Sequence, residues 1–245
     1  MTSTLRPHRP PIYWFYLYWT AWLGFIVVAL SSYQVLSKGI DYRWAVLTAL
    51  TIIVGSCTLK IPGVNSKISL GDTFVLMSLI IFGPAAGCIA AALEAFSGSI
   101  RCKTRTRRLE FIMFNTGNIA TCAYISGLMY SFVQGRGPLH HDPGALFAGS
   151  LPAALVLALS YYLLNSGTVA IMVALESRKS VYRIWKENFL WQSVNYLACA
   201  FGAVLLSNNG DPVTPLVLAP AGLVVTIIYA SYRTVLGKMA ANARS

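Results

Sequence analysis

The residues of this 245-residue chain best suited to chemistry stand where water is scarce. Asp72 opens the apolar run "DTFVLMSLIIF", and Glu94 lies inside "AALEAF". A carboxylate within a membrane-length apolar stretch costs about 2.5–3.5 kcal/mol at a helix centre on insertion scales, so each needs a physical reason. Two reasons stand side by side for Asp72. Ser69-Leu70-Gly71-Asp72 is an S-x-x-D box, in which Ser69 caps a helix start while Asp72 complements its dipole. In the other reading the carboxylate is a polar contact at the mouth of a cavity. Glu94 precedes Arg101 by about two helical turns. One reading pairs it with the basic loop at the interface; the other turns it inward as a ligand-binding or proton-sensitive group.

Amides extend the set. Asn115 and Asn118 share a helical face at i, i+3, as do Gln192, Asn195 and Tyr196 at i, i+3, i+4, and Asn165 sits mid-span beside Tyr161 and Tyr162. Taken singly, each is accounted for by helix–helix hydrogen bonding, worth about 0.6 kcal/mol on average in membranes. Taken together with the carboxylates, Asp72, Glu94, Asn115, Asn118, Asn165, Gln192, Asn195 and Tyr196 are the expected lining of one ligand pocket.

Catalytic and metal-binding patterns are missing from the sequence. The histidines are His8, His140 and His141, in the tail or a loop, and there is no HExxH, phosphate-cradling Gly loop or Ser/His/Asp set. Cysteines 57, 88, 102, 122 and 199 form no CxxC pair and fall mostly within apolar runs, as small buried side chains do. The expectation is a binding protein rather than an enzyme, with no metal and no assigned cofactor.

The elements that must position these groups follow from composition. The chain is 56% hydrophobic and 11% charged, about half the charged share of a soluble domain, so the bilayer is its expected solvent. The net charge of +11 does not point to nucleic acid, because the cations sit in short loops between apolar runs; membrane lipids are the expected neighbours. Eight apolar segments can be drawn, at roughly 13–35, 43–59, 69–82, 84–99, 111–133, 145–175, 189–207 and 212–235. Between them lie turn-like breaks, among them "KIPGVNSK", "FGP" and "ESRKSVYRIWKEN". The first run, Ile12 to Tyr33, is too long and aromatic for a cleaved leader and reads as a retained span with an interfacial aromatic belt.

Placing the N-terminus in the cytoplasm puts all Lys and Arg there except Lys38, Arg43 and Arg136, and both termini inside. Segments three and four are the unusual pair. Fourteen residues, 69–82, make about 21 Å of helix against about 30 Å of hydrocarbon, and Gly83-Pro84 breaks the run. Short paired helices of this kind need other protein around them, commonly beside a cavity. The expected fold class is therefore all-α, a polytopic transmembrane helix bundle of about 7–8 membrane segments including a short-helix pair broken at Gly83-Pro84. Residues 1–12 read as a basic cytoplasmic tail, 13–235 as one transmembrane domain, and 236–245 as the start of a cytoplasmic signalling helix.

The stretch "IPGVNSKISLGDTFVLMSLIIFGPAAGCIAAALEAFSG", 61–98, resembles the membrane-associated sensor (MASE-type) domains that precede HD-GYP or GGDEF output domains. "YASYRTVLGKM" resembles the helix by which such proteins continue into a cyclic-di-GMP module. This resemblance implies a bacterial inner-membrane sensor with a small or lipidic ligand between its helices, a homodimer, and relay through the exit helix Val224–Asn242. The S-L-G-D box, apolar helix, Gly-Pro and small-residue helix are also similar to the substrate-binding S components of energy-coupling-factor vitamin transporters. That resemblance implies a small-molecule pocket between helices and an ATPase partner, for which Ala45-x-x-x-Ala49 is a small-residue docking stripe.

Overall fold

The computed structural model describes residues 9–39, 41–55, 58–60, 67–69, 71–101, 108–135, 151–190, 193, 196–200 and 202–203. The expected segment at 212–235, the exit helix Val224–Asn242, the tail residues 1–8 and the interior of the basic loop after Arg101 lie outside them, as do Gln192 and Asn195.

Six helices and a small ribbon make up the described residues. They are α1 (Pro11–Lys38), α2 (Tyr42–Gly55), α3 (Asp72–Arg101), α4 (Arg108–Val133), α5 (Leu151–Ser177) and α6 (Val181–Asn188), with β1 (Thr58–Lys60) and β2 (Lys67–Ser69) between α2 and α3. Proline at the first helical position starts α1, where its missing N–H costs nothing. Asp41 starts α2 by accepting the Arg43 backbone N–H at 2.8 Å. α1 and α5 are long and apolar enough to cross a membrane, and α4, 26 residues and about 39 Å long, is as extended. The protein is a membrane protein.

The expected all-helical class holds, and two local details differ from the sequence reading. The span drawn at 43–59 stops at Gly55, and the short ribbon Thr58–Lys60 pairs antiparallel with Lys67–Ser69. The intervening "IPGVNS" carries the Pro, Gly and Asn that turn a chain back on itself. "ESRKSVYRIWKEN", read as a break, contains α6. Its Arg183 Nε donates to Glu187 Oε1 at 2.8 Å one turn away, and this carboxylate holds the guanidinium above its ordinary pKa. Seven or eight membrane segments are not found among the described residues.

α3 is two helical arms joined at a break rather than one straight span. Gly83 has φ 86° and ψ −180°, a left-handed geometry that glycine tolerates, and Pro84 follows it. In an unbroken helix, residues eight apart lie about 12 Å from each other. Here a Cβ placed on Gly87 would stand 3.0 Å from Leu79 Cα. The two arms, 72–82 and 84–101, therefore fold back on each other as a helical hairpin, the broken pair expected from Gly83-Pro84.

Contacts across the bundle fix which ends share a face. Trp44 Nε1 at the start of α2 donates to Ala86 O beside the hairpin tip at 3.0 Å, and Pro84 packs against Gly127 late in α4. At the opposite end, Arg9 binds Glu110 at the start of α4 and Glu176 at the end of α5. Arg101, closing α3, donates to Ile52 O near the end of α2. The hairpin thus enters and leaves on the face that carries Arg9, Arg101, Arg178, Lys179, Arg183 and Lys186. Its tip lies toward the face with Lys38 and Arg43. The described cations divide as the loop count expects.

Neighbouring helices cover the hairpin thoroughly. Phe74, Val75, Leu76, Met77, Leu79, Ala90 and Ala91 are all buried, in a core shared with Leu47 of α2, Ala123 and Tyr130 of α4, and Leu157 and Tyr161 of α5. The aromatic face of α1, with Phe15, Trp19, Trp22 and Phe25, is exposed instead, as a lipid-facing surface should be. α1 and α4 cross with their backbones in contact: a Cβ on Gly24 would stand 2.1 Å from Gly117 Cα.

Candidate functional site

The hairpin geometry brings two distant residues together. Asp72 and Glu94 sit eleven positions on either side of Gly83, so folding at Gly83 returns them to the same level of the bundle. Each is 8% exposed, and Glu94 Oε1 lies close to Gly71, the residue that precedes Asp72. The floor of this place is made by absent side chains. A Cβ on Gly55 would stand 2.6 Å from Glu94 Oε1, and one on Gly71 would stand 3.0 Å from the same atom and 3.1 Å from Thr51 O. Glu94 is thus held against the end of α2 by glycines that leave it room.

Glu94 is buried against the end of α2, as its inward reading requires; the interior of the basic loop invoked by the interfacial reading lies outside the described residues. Arg101 donates to Ser97 O at 3.1 Å, Ser97 Oγ at 3.0 Å and Ile52 O. Asp72 occupies the first turn of α3, where the helix dipole favours an anion, and it is buried within the bundle; the side chain of Ser69, its expected capping partner, lies outside the described residues.

A directional chain of hydrogen bonds approaches from α4 and α5. Asn118 Nδ2 donates to Asn165 Oδ1 at 2.7 Å, and Asn165 Nδ2 donates to Tyr196 Oη at 2.9 Å. Cys122 Sγ donates weakly to Asn118 Oδ1 at 3.5 Å. Asn118 is 1% exposed, where a polar group without a partner is costly, and Asn165 is half-buried. The Tyr196 ring meets Tyr161 edge-on at 5.2 Å between centroids and Tyr162 at 6.1 Å. Tyr161 and Tyr196 share the buried core with the first hairpin arm, which Asp72 opens.

Five of the expected residues, Asp72, Glu94, Asn118, Asn165 and Tyr196, thus draw together around the open end of the hairpin. Asn115 does not join them; its Nδ2 donates to Ser99 Oγ at 2.9 Å, tying α4 to the second hairpin arm. Gln192 and Asn195 lie outside the described residues. Tyr161 was not assigned to the site from sequence, although it precedes Asn165 by four positions and so shares its helical face. Gly55 and Gly71 were also missed, because nothing local marks a glycine as the floor of a carboxylate site.

Chemically, the arrangement offers acceptors from two carboxyl groups and donors from two tyrosine hydroxyls on facing elements. Among the described residues no cluster of His, Cys, Asp and Glu has the makeup of a metal site. Such a group of acceptors and donors suits recognition of a neutral or donor-rich small molecule by hydrogen bonds.

Comparison with known proteins falls on these same elements. Residues 42–97 match the family of the ECF-type riboflavin transporter, S component, a stretch that runs from the start of α2 through both hairpin arms past Glu94. No curated protein and no solved structure matches. Of the two resemblances carried by residues 61–98, the match supports similarity to the transporter S component and gives none to the sensor domains.

Proposed function

We propose that this chain is a membrane-embedded, solute-binding subunit of S-component type. It holds a small polar solute of about riboflavin's size where the base of the hairpin meets α5 and the 196–203 segment. The observation that carries the reading is a coincidence of place. The stretch similar to riboflavin S components is the one that folds back at Gly83 to bring Asp72 and Glu94 to one level of the bundle, beside the core that the first hairpin arm shares with Tyr161 and Tyr196.

Asp72, Glu94, Asn165 and Tyr196 are the ligand-binding groups in this reading, and Asn118 orients Asn165. The face bearing Arg9, Arg101 and the α6 cations is cytoplasmic, as the excess of Lys and Arg favours. Ala45 and Ala49, both exposed on α2, form the small-residue surface offered to an energy-coupling partner. The protein binds and passes on its solute without altering it chemically.

The test is binding by the purified protein in nanodiscs, read by riboflavin fluorescence and by melting with a panel of vitamin-sized solutes. A ligand at one hundred times its Kd adds about 2.7 kcal/mol. At about 2–4 °C per kcal/mol for a chain of this size, the melting temperature should rise by roughly 5–11 °C. Asp72→Asn with Glu94→Gln should remove most of that rise. If no solute in the panel stabilises the wild-type protein and none co-purifies with it, the reading is wrong.

A further inference from the structure

Several buried hydroxyls have no hydrogen-bond partner among the described residues, those of Tyr161 and Tyr162 among them, and Tyr161 is the one that stands edge-on to Tyr196 and shares a helical face with Asn165. Tyr161 is 0% exposed, and its hydroxyl has no hydrogen-bond partner among the described residues. It stands on α5 one turn before Asn165, edge-on to Tyr196, in the core shared with the hairpin arm that Asp72 opens. Leaving such a group unsatisfied is expensive. Phenylalanine has the same ring and would avoid the expense, so a packing role alone does not explain the hydroxyl.

We infer that the Tyr161 hydroxyl is a ligand-binding group, left unsatisfied in the empty protein and satisfied by the solute. The inference rests on the binding-subunit reading and adds to it both a residue and the chemistry of the solute's edge. Tyr196 Oη already accepts from Asn165, so its own proton, like that of Tyr161, is available to donate. Two hydroxyl donors beside two carboxyl acceptors fit a solute that presents a carbonyl oxygen next to an N–H. The carbonyl takes the tyrosine protons, and the N–H is accepted by Asp72 or Glu94. Lactam, ureide and imide edges have this pattern. A simple amine lacks the acceptor, and a carboxylate lacks the donor and meets two acids.

The hydroxyl's two roles, costly when empty and useful when occupied, give Tyr161→Phe effects of opposite sign on stability and on binding. In nanodiscs, empty Y161F should melt at or above the wild type, by up to about 2–4 °C. Riboflavin, whose ring carries an imide edge, should bind it at least tenfold more weakly. Riboflavin methylated on the imide nitrogen should bind the wild type with a comparable loss. A lower melting temperature for empty Y161F would mean the hydroxyl is already bonded within the fold, and overturns the inference. Unchanged riboflavin affinity in Y161F overturns it as well, while leaving the binding-subunit reading intact. If the wild type binds solutes of the panel but none with a lactam, ureide or imide edge, this inference is overturned and the binding-subunit reading stands; if it binds no solute at all, that reading falls first and this one with it.

Discussion

The crossing of α1 and α4 permits a sharp energetic test, because adding one methyl group should have opposite effects at different glycines. At Gly24 a Cβ would stand 2.1 Å from Gly117 Cα, 2.5 Å from Gly117 O and 2.6 Å from Gly117 C. Carbon atoms prefer about 3.5–4.0 Å, and all three neighbours are backbone, so no rotamer change relieves the clash. The helices must part locally by more than an ångström, which loosens the packing of Ala21 and of Cys88, Ala92 and Ala120 nearby. Overpacking of this kind costs about 3 kcal/mol at the upper end of its usual range. The better helix propensity of alanine offsets about 1 kcal/mol, leaving Gly24→Ala destabilised by about 2 kcal/mol.

Gly98 and Gly167 are the controls, since a Cβ at either meets nothing within 4 Å. There the propensity gain of up to about 1 kcal/mol stands alone. Melting in one detergent should therefore place G24A about 4–8 °C below the wild type, and G98A and G167A up to about 4 °C above it. G24A melting at or above the wild type would mean that α1 and α4 do not cross at these glycines, and the order of elements built on that crossing would be wrong.

Three further outcomes follow from the same contacts. Gly83→Ala places a side chain at φ 86°, costing about 1–2 kcal/mol; it should melt about 2–8 °C lower, and an unchanged melt would argue against the hairpin bend. Asn165→Ala removes two interhelical hydrogen bonds, at about 0.6 kcal/mol each on average, so a fall of about 2–5 °C is expected. In a double-mutant cycle with Tyr196→Phe the losses should be non-additive, and strict additivity would break the chain drawn here. Arg9→Ala should cost about 1 kcal/mol at low ionic strength and less in 1 M salt, because Glu176 is partly exposed; a loss independent of salt would mean that Arg9 contributes by packing on Tyr13 rather than by charge.

Much of this architecture is written in local sequence. The hairpin is legible because Gly83-Pro84 can do little in a helix except break it, and because the flanking runs are short. The two faces are legible because lysine and arginine concentrate in the loops on one side of a membrane. Less legible is what depends on closeness between remote segments. Neither Gly55 nor Gly71 carries any local mark of its contact with Glu94, and the apposition of Gly24 and Gly117 follows only from the way two helices cross. Asn115 and Asn118 look equivalent at i, i+3, yet they meet different partners on different helices. The ribbon at 58–60 and 67–69 was lost to the apolar run before it, whose period-free hydrophobicity hides where helix gives way to strand. Tyr161 was passed over because an aromatic residue in a span is usually packing; its hydroxyl became informative only when its surroundings were known.

The hairpin has a consequence for how the protein is made. An arm of eleven residues, 72–82, reaches only about 16 Å and starts with an acid, so on its own it has little tendency to leave the translocation channel for lipid. The second arm is longer but carries Glu94. The pair must therefore partition together, with the carboxyl groups already facing each other and α2, itself only 14 residues long, beside them. Insertion of this region is a cooperative event among three short helices, and a ribosome stalled between Gly83 and Arg101 should leave the nascent chain unable to integrate past α1.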